Sequence, residues 1–359
     1  MIKTFKYRLY PTKEERELFE RTLELCRDLY NHALEQRIFT YKKRGVSITP
    51  FQQIKELPHL KKVLPEYKEI HSQVLQNVLK RLDVSFQNFF RRVKNGEKPG
   101  FPRFQGKNRY DSFTYPQSGF SIEGDKLKLS KIGSIRIHLH RKVEGKVKTC
   151  TIIRKNGRYF VCFVCEVEKV FHFTGKQVGV DVGISHLAIT SDGEFFDNPK
   201  HLRKSEQQLK RLQRIVSRRK KGSNRRRKAV RLLAKKHEQI ANQRKDTNHK
   251  VSRMLVDQYD LIVFEELNVK SMVKNRRLSK AIHEVAWNQL IIFTSYKAAY
   301  ADKQVKVVNP HNTSQMCSNC GRIVKKKLSE RTHVCSCGYT DHRDINAAKN
   351  ILKLGLEAG

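Results

Sequence analysis

Apolar residues alternate over 2–9, with Phe5, Tyr7 and Leu9 on one side and Lys6 and Arg8 on the other, the period-two pattern of a half-buried strand. Pro11 ends that strand, and Thr12 with Glu15 makes a capping box that starts a helix. Phe19, Leu23, Cys26, Tyr30 and Ala33 then recur at helical spacing, as do Val74, Val78, Leu82, Phe86 and Phe89 over 71–92. From 118 to 170 short alternating strands return, and Asn156-Gly157 between two apolar runs predicts a tight hairpin. This part reads as a small β-barrel or sandwich that the N-terminal strand joins. Cys162 and Cys165 fall inside its strand pattern, where they read as packing residues. Two or three more strands follow over 176–200. A polar helical region covers 200–258 with a break at Gly222-Ser223-Asn224. After it come an apolar strand at 261–264, a helix over 281–300 with the single tryptophan, and a last helix from Asp344.

Two segments do not fit a plain core pattern. Residues 98–117 break helix and interleave Phe101, Phe104, Tyr110, Phe113 and Tyr115 with Arg103, Lys107 and Arg109. Arg103, Phe104, Lys107, Arg109 and Tyr110 suit stacking on bases and contact with phosphates. A loop that tucks its aromatics into a core reads equally well. Between Lys210 and Lys236 there are fourteen Lys or Arg and no acid, including Arg218, Arg219, Lys220, Lys221, Arg225, Arg226, Arg227 and Lys228. Like charges at that density repel unless something neutralises them, and a phosphate backbone is the natural partner.

Composition extends that picture to the whole chain. Its 359 residues carry 74 Lys and Arg against 35 Asp and Glu, a formal charge of +39, which points to a nucleic-acid partner. With 38% hydrophobic and 30% charged residues the chain is a folded multidomain protein rather than a disordered one. The opening MIKTFKYRLYP lacks a signal-peptide core and no run is long and apolar enough for a membrane span, so the expected location is cytoplasmic, with reduced thiols and no membrane partner.

Three carboxylates then stand out. Asp181 lies in the strand pattern VGVDVGISHLAIT, where burial is costly unless the acid is paired or binds metal, and Gly183 permits close approach. Glu265 closes the apolar strand LIVFE, and Asp344 opens the helix DINAAKNIL, whose Ala347 and Ala348 allow tight packing on a sheet. A strand acid, a strand-end acid and a helix acid can converge on a pair of Mg²⁺ ions about 4 Å apart. Glu266 competes with Glu265, and Asp341 with Asp344.

Four of the eight cysteines gather at Cys317, Cys320, Cys335 and Cys337. In a reducing compartment two tight turns of thiolates suit one tetrahedral Zn²⁺, and a closed shell of four is structural rather than catalytic. The second knuckle has one intervening residue instead of two, and His333 is an alternative ligand.

VGVDVGISHLAIT, LIVFEELNVKSMV and CSNC…CSCGY…RDINAAKNIL, with KTFKYRLYPTKEERELFERTLELCRDLYNHAL and GFPRF…DSFTYPQ upstream, resemble the TnpB family of transposon-encoded, RNA-guided DNA endonucleases. The resemblance spans nearly the whole chain. It implies a multidomain α+β fold: a wedge-like β-barrel from 1–11 and 106–172, a helical recognition lobe over 12–105, and a split, ribonuclease-H-like RuvC nuclease domain from 173–310 and 341–359, with a zinc-binding insert at 311–340. Asp181, Glu265 and Asp344 would be its catalytic acids, and Mg²⁺ and Zn²⁺ its ions. A guide RNA from the transposon end and double-stranded target DNA beside a short adjacent motif would be its partners. A strand-joining transposase, or a guided regulator without catalysis, are the competing readings.

Overall fold

The computed structural model describes residues 1–168, 171–309, 311–327 and 330–357. Parts of the expected domains that fall on 169–170, 310, 328–329 and 358–359 lie outside the described residues. The chain forms two compact units, Met1–Glu168 and Lys169–Gly359.

In the first unit β1 (Ile2–Tyr10) leads into α1 (Lys13–Arg44), α2 (Pro50–Val63) and α3 (Ser72–Lys94). Strands β2 (Ser112–Tyr115), β3 (Phe120–Glu123), β4 (Lys126–Leu129), β5 (Gly133–His138), β6 (Lys146–Lys155) and β7 (Arg158–Glu166) follow. The capping box at Thr12 and Glu15 forms, and Gly45 ends α1 in the left-handed conformation. The seven strands run in the order β2-β6-β7-β1-β5-β4-β3, with β1 antiparallel to both neighbours. Its edge strands, β2 and β3, share no ladder, so the expected barrel is an open sheet in its hydrogen bonding. Asn156 and Gly157 both take positive φ (51° and 73°) at the β6–β7 turn, as a tight hairpin of the right twist requires. Helices and sheet share one apolar core: Phe19 of α1 stacks against Phe113 and Tyr159 of the sheet, with ring centroids 5.9 and 5.0 Å apart. The helical segment therefore packs on the sheet as one body within this unit.

The second unit opens with β8 (Gln177–Asp181), β9 (His186–Thr190) and β10 (Phe195–Asp197). Next come α4 (His201–Ser217), α5 (Asn224–Gln258), β11 (Leu261–Glu265), α6 (Val269–Met272), α7 (Arg276–Val285) and α8 (Trp287–Tyr300). The unit ends with β12 (Gln304–Val308), the hairpin β13 (Thr332–Val334) and β14 (Thr340–His342), and α9 (Arg343–Glu357). Its five-stranded sheet has the order β10-β9-β8-β11-β12, antiparallel through β9 and parallel from β8 to β12. The expected helix over 281–300 is instead two helices. Ala286 breaks them in a left-handed conformation (φ 55°) that costs about 1–2 kcal/mol for a residue with a Cβ. The buried Asn248 side chain holds its carbonyl, at 3.5 Å.

The sheet has two differently used faces. Val178, Val180 and Phe264 enter the larger core with α5 and α8 residues, whereas Val263 packs with Ile351 of α9 on the other side. On that second face α9 comes into backbone contact with the strands. A Cβ on Gly179 would lie 2.0 Å from the carbonyl oxygen of Ala348, and one on Gly355 would lie 2.5 Å from Val263. At Gly179 only glycine fits, because the Ala348 backbone cannot retreat as the Val263 side chain opposite Gly355 can. Gly179→Ala should therefore destabilise this unit by about 3 kcal/mol through overpacking, read as a lower urea midpoint at unchanged slope. An unchanged midpoint would mean that α9 does not seat on β8 this closely.

Candidate active site and cysteine centre

Strand register brings the acids together. Val180 pairs with Phe264, so Asp181 and Glu265 are the next neighbours at the carboxyl ends of two parallel strands. They point to the face that carries α9, whose first turn contains Asp344. Asp181 and Glu265 are close enough that each side chain perturbs the other's titration. Asp181 is held well above the usual carboxylate range by burial first and by the charges of Glu265 and Asp344 next, with Arg343 opposing the shift. Burial likewise lifts Glu265 to about 7, and only 8% of that residue is exposed. Two carboxyls this close and this dry cannot both ionise without a compensating cation.

The competing acids are turned away. Glu266 is exposed, and its backbone N–H donates to the Val308 carbonyl. Asp341 accepts from Lys349 Nζ (2.8 Å) and the Tyr339 hydroxyl (2.6 Å), which hold it below the usual range despite its burial. Asp344 lies 3.7 Å from Arg331, and its backbone N–H donates to His342 Nδ1 at 3.3 Å. Among the described residues, the one group of three or more His, Cys, Asp or Glu side chains placed so that it could hold a single metal ion is the cysteine group. Asp344 is near enough for its charge to act on Asp181.

Side chains that sequence reasoning did not single out fix this arrangement. Trp287, just after the Ala286 break, donates its indole N–H to the carbonyl of Gly183 at 3.1 Å and so pins the turn that follows Asp181. Asn346 and Asn350 are almost fully buried, a helical turn apart on α9. Asn346 accepts from the Ser318 amide (2.9 Å) and donates to the Met316 carbonyl (2.7 Å). Asn350 donates to the carbonyls of Thr313 (2.8 Å) and Met316 (2.6 Å). The signal was present in the chain: two amides four residues apart on the apolar face of a helix, where a polar group is costly unless it is bonded.

Those bonds lead directly to the cysteines. The thiols of Cys317, Cys320, Cys335 and Cys337 all lie within 4.8 Å of one another, with Cys317–Cys337 at 3.8 Å and Cys320–Cys335 at 3.6 Å. A tetrahedral ion with metal–sulfur bonds near about 2.3 Å requires sulfur–sulfur edges of about 3.8 Å, so the four donors fit it. The backbone N–H of Tyr339 leads the effects that lower the Cys337 thiol to about 6, towards the thiolate a metal needs. His333 is buried and bonded to Lys326, outside this set.

The expected nucleic-acid residues divide. Phe104 is 56% exposed, and Arg103, Lys107 and Arg109 are also exposed. Tyr110 is 8% exposed, its ring tilted 50° to that of Tyr30 at 6.2 Å with Arg81 over it; that burial leaves it no free face for a base and corrects the expectation for this residue. Phe113 and Tyr115 are core residues. Arg218, Arg219, Lys220 and Lys221 occupy the exposed turn between α4 and α5. Arg225, Arg227 and Lys228 follow around the start of α5, Arg226 among them being partly buried.

The comparisons with known proteins bear on the same features. Residues 161–276 match a family model described as "Probable transposase", and 287–351 match one described as "Cas12f1-like, TNB domain". Residues 1–46 match a model described as a helix-turn-helix domain, although here they form one strand and a single unbroken helix from Lys13 to Arg44. A Streptomyces pristinaespiralis protein named "Putative RNA-guided DNA endonuclease" is 34% identical over 99% of this chain and 90% of its own length. The similarly named InsQ of Escherichia coli (strain K12) is 31% identical over 99% and 92%. This chain belongs to the TnpB family. Among solved structures, the TnpB-family chain is similar to the protein of a Cas12f1-sgRNA-target DNA complex, with a TM-score of 0.61 over 98% of each chain at 13% identity. At that identity the likeness is one of fold, mixed α and β. No helix among the described residues of this TnpB-family chain is long and apolar enough to cross a membrane.

The acid pair also sets a pH dependence. The unfolded chain releases the Glu265 proton in the ordinary carboxylate range, whereas the fold keeps it up to about 7. The metal-free fold therefore has this contribution at low pH and loses it as pH rises through 7, by roughly 2–3 kcal/mol. The thermal midpoint of protein without divalent ions should fall between about pH 5 and pH 8, and Glu265→Gln should flatten that slope. A slope unchanged in Glu265→Gln would place the titration elsewhere.

Proposed function

We propose that this chain is an RNA-guided DNA endonuclease of a transposable element that hydrolyses the phosphodiester backbone of guide-matched DNA beside a short adjacent motif. The observation that carries the chemistry is the adjacent Asp181–Glu265 pair, desolvated and with Asp344 acting on it, an excess of negative charge that bound protons or cations must offset. Asp181, Glu265 and Asp344 would hold two Mg²⁺ ions, which when bound supply a more acidic water and charge for the leaving oxygen. The protein's part is to hold the three carboxyls spaced and shielded from water, so that they ionise when the cations bind. Strand register fixes two of them, and the glycine-tight seat of α9 fixes the third. Arg331 and Arg343, beside Asp344 and Asp181, stand where they can meet a phosphate.

The cysteine set would hold one structural Zn²⁺, and the second unit as a whole would be the RuvC-type nuclease with that insert. The guide RNA would come from the transposon end. Base pairing to it would supply sequence specificity, while the first unit would hold the heteroduplex and read the adjacent motif. Arg103, Phe104, Lys107, Arg109 and the Arg218–Lys228 cations would meet backbone and bases.

The test is purification from cells that carry the DNA flanking the gene. Co-purified RNA of defined 3′ sequence that directs Mg²⁺-dependent plasmid cutting supports this function. Guide-independent cutting with strand joining would replace it with a transposase, and guided binding without cutting would leave a regulator.

A further inference from the structure

A row of side chains crosses the sheet beside the carboxylates. Ile189 pairs with Asp181 on one side and with Phe195 on the other, so Phe195 lies two strands from Asp181, roughly 10 Å away. Cross-strand neighbours share a face, and this is the face of α9: a Cβ on nearby Gly193 would lie 3.8 Å from Ile345. Phe195 is nevertheless 40% exposed. Its ring meets two imidazoles edge-on, His186 at 5.2 Å and 74° and His342 at 5.2 Å and 82°.

Both imidazoles are tied down. His186 Nδ1 lies 3.0 Å from Asp197 Oδ1. His342 Nδ1 accepts the backbone N–H of Asp344 at 3.3 Å, which connects the aromatic group to the turn that carries the third acid. A partly exposed ring on the same sheet face as the carboxylates, held in place by two imidazoles in a chain of charge +39, suits a stacking surface for a base.

We propose that Phe195, clamped by His186 and His342, is a stacking platform for an unpaired nucleobase of the DNA strand at the carboxylate site. This rests on the nuclease reading for which strand arrives there. The base would sit on Phe195 while the neighbouring phosphate reaches the acids and the Arg331 and Arg343 cations. Stacking is indifferent to base identity, so the platform orders the strand without reading its sequence.

The probe is single-stranded DNA with 5-iodouracil placed at successive positions, irradiated with the full-length Asp181→Asn protein and its co-purified RNA. A crosslink to Phe195, retained in Phe195→Trp and lost in Phe195→Leu, is the expected result. Crosslinks confined to aromatics elsewhere, such as Phe104, overturn the proposal. In the cutting-competent protein, Phe195→Leu should lower kcat/KM about tenfold. An abasic site at the crosslinking position should cost the native protein about the same factor and add nothing in Phe195→Leu. Equal losses from the abasic site in both proteins overturn the platform even if cutting is robust. Absence of cutting by the native protein sinks the nuclease reading and leaves the crosslink result to stand by itself.

Discussion

Asp181→Asn should abolish DNA cutting, by at least about a thousandfold, and leave the metal-free protein as stable as before or more so. A thousandfold is about 4 kcal/mol of barrier, the scale expected when a shared ligand of two catalytic ions is lost. The stability half of the prediction comes from burial. Asp181 is driven well above its ordinary range by desolvation and by Glu265 and Asp344, so above neutrality the empty site carries an uncompensated cost. An amide of the same shape fills the same space and removes a charge. A relief of 1–2 kcal/mol would raise the thermal midpoint by about 2–4 °C or more for a unit of this size. Calorimetry at about pH 8 without divalent ions checks this half, and a guided plasmid assay checks the other. Undiminished cutting would remove Asp181 from the chemistry. A midpoint lowered by several degrees, with guide binding lost as well, would make it a structural residue instead. Glu265→Gln and Asp344→Asn should follow the same pattern. Asp341→Asn should not, because its carboxylate is spent on Lys349 and Tyr339.

What could be read from the chain follows the range of the interactions concerned. The β1 alternation, the capping box at Thr12 and Glu15 and the Asn156-Gly157 turn are local, and each forms as its spacing requires. The cysteine knuckles are local in pairs, and their chemistry made the join between pairs predictable. The three acids were visible through strand and helix context together with family resemblance. The choice of Glu265 over Glu266 depended on which faced the sheet's α9 side, a one-residue register question that periodicity leaves open. Tyr110 was misplaced because aromatic and cationic interleaving looks the same on a surface as in a core; Arg81 and Tyr30, which bury it, are distant in sequence. The break at Ala286 had no signal, since alanine favours helix and the distortion is held by Asn248 from another element. Nor could spacing reveal that Gly179 meets the backbone of Ala348.

Removing the cysteine centre should disable the acids from a distance. In a Cys317→Ser/Cys320→Ser protein, the metal is lost and cutting falls by about 10- to 100-fold, a range typical when groups that orient a site are removed. The physical route is short. Met316, next to Cys317, gives its carbonyl to both Asn346 and Asn350, and Ser318 gives its amide to Asn346. With the four thiols unbound, the loop that carries these groups keeps only its own short pairing, the Met316–Ile323 bridge with the Cys317 N–H on the Arg322 carbonyl and the Val324 N–H on the Gln315 carbonyl, which is too short to persist alone. The first turn of α9 then frays, and Asp344 with it. Amide exchange separates this from general unfolding: protection should drop over 343–350 and persist in β8 and β11, whose ladders do not involve the loop. Asn350→Ala, which keeps the thiols but takes the donor from the Thr313 carbonyl and one of two donors from the Met316 carbonyl, should cost about 1–3 kcal/mol and reproduce part of the exchange change with the metal still bound. If the double-serine protein loses its metal yet cuts at the native rate with α9 fully protected, the cysteine centre does not position Asp344. The glycine-tight seat on β8 would then suffice to hold the third acid.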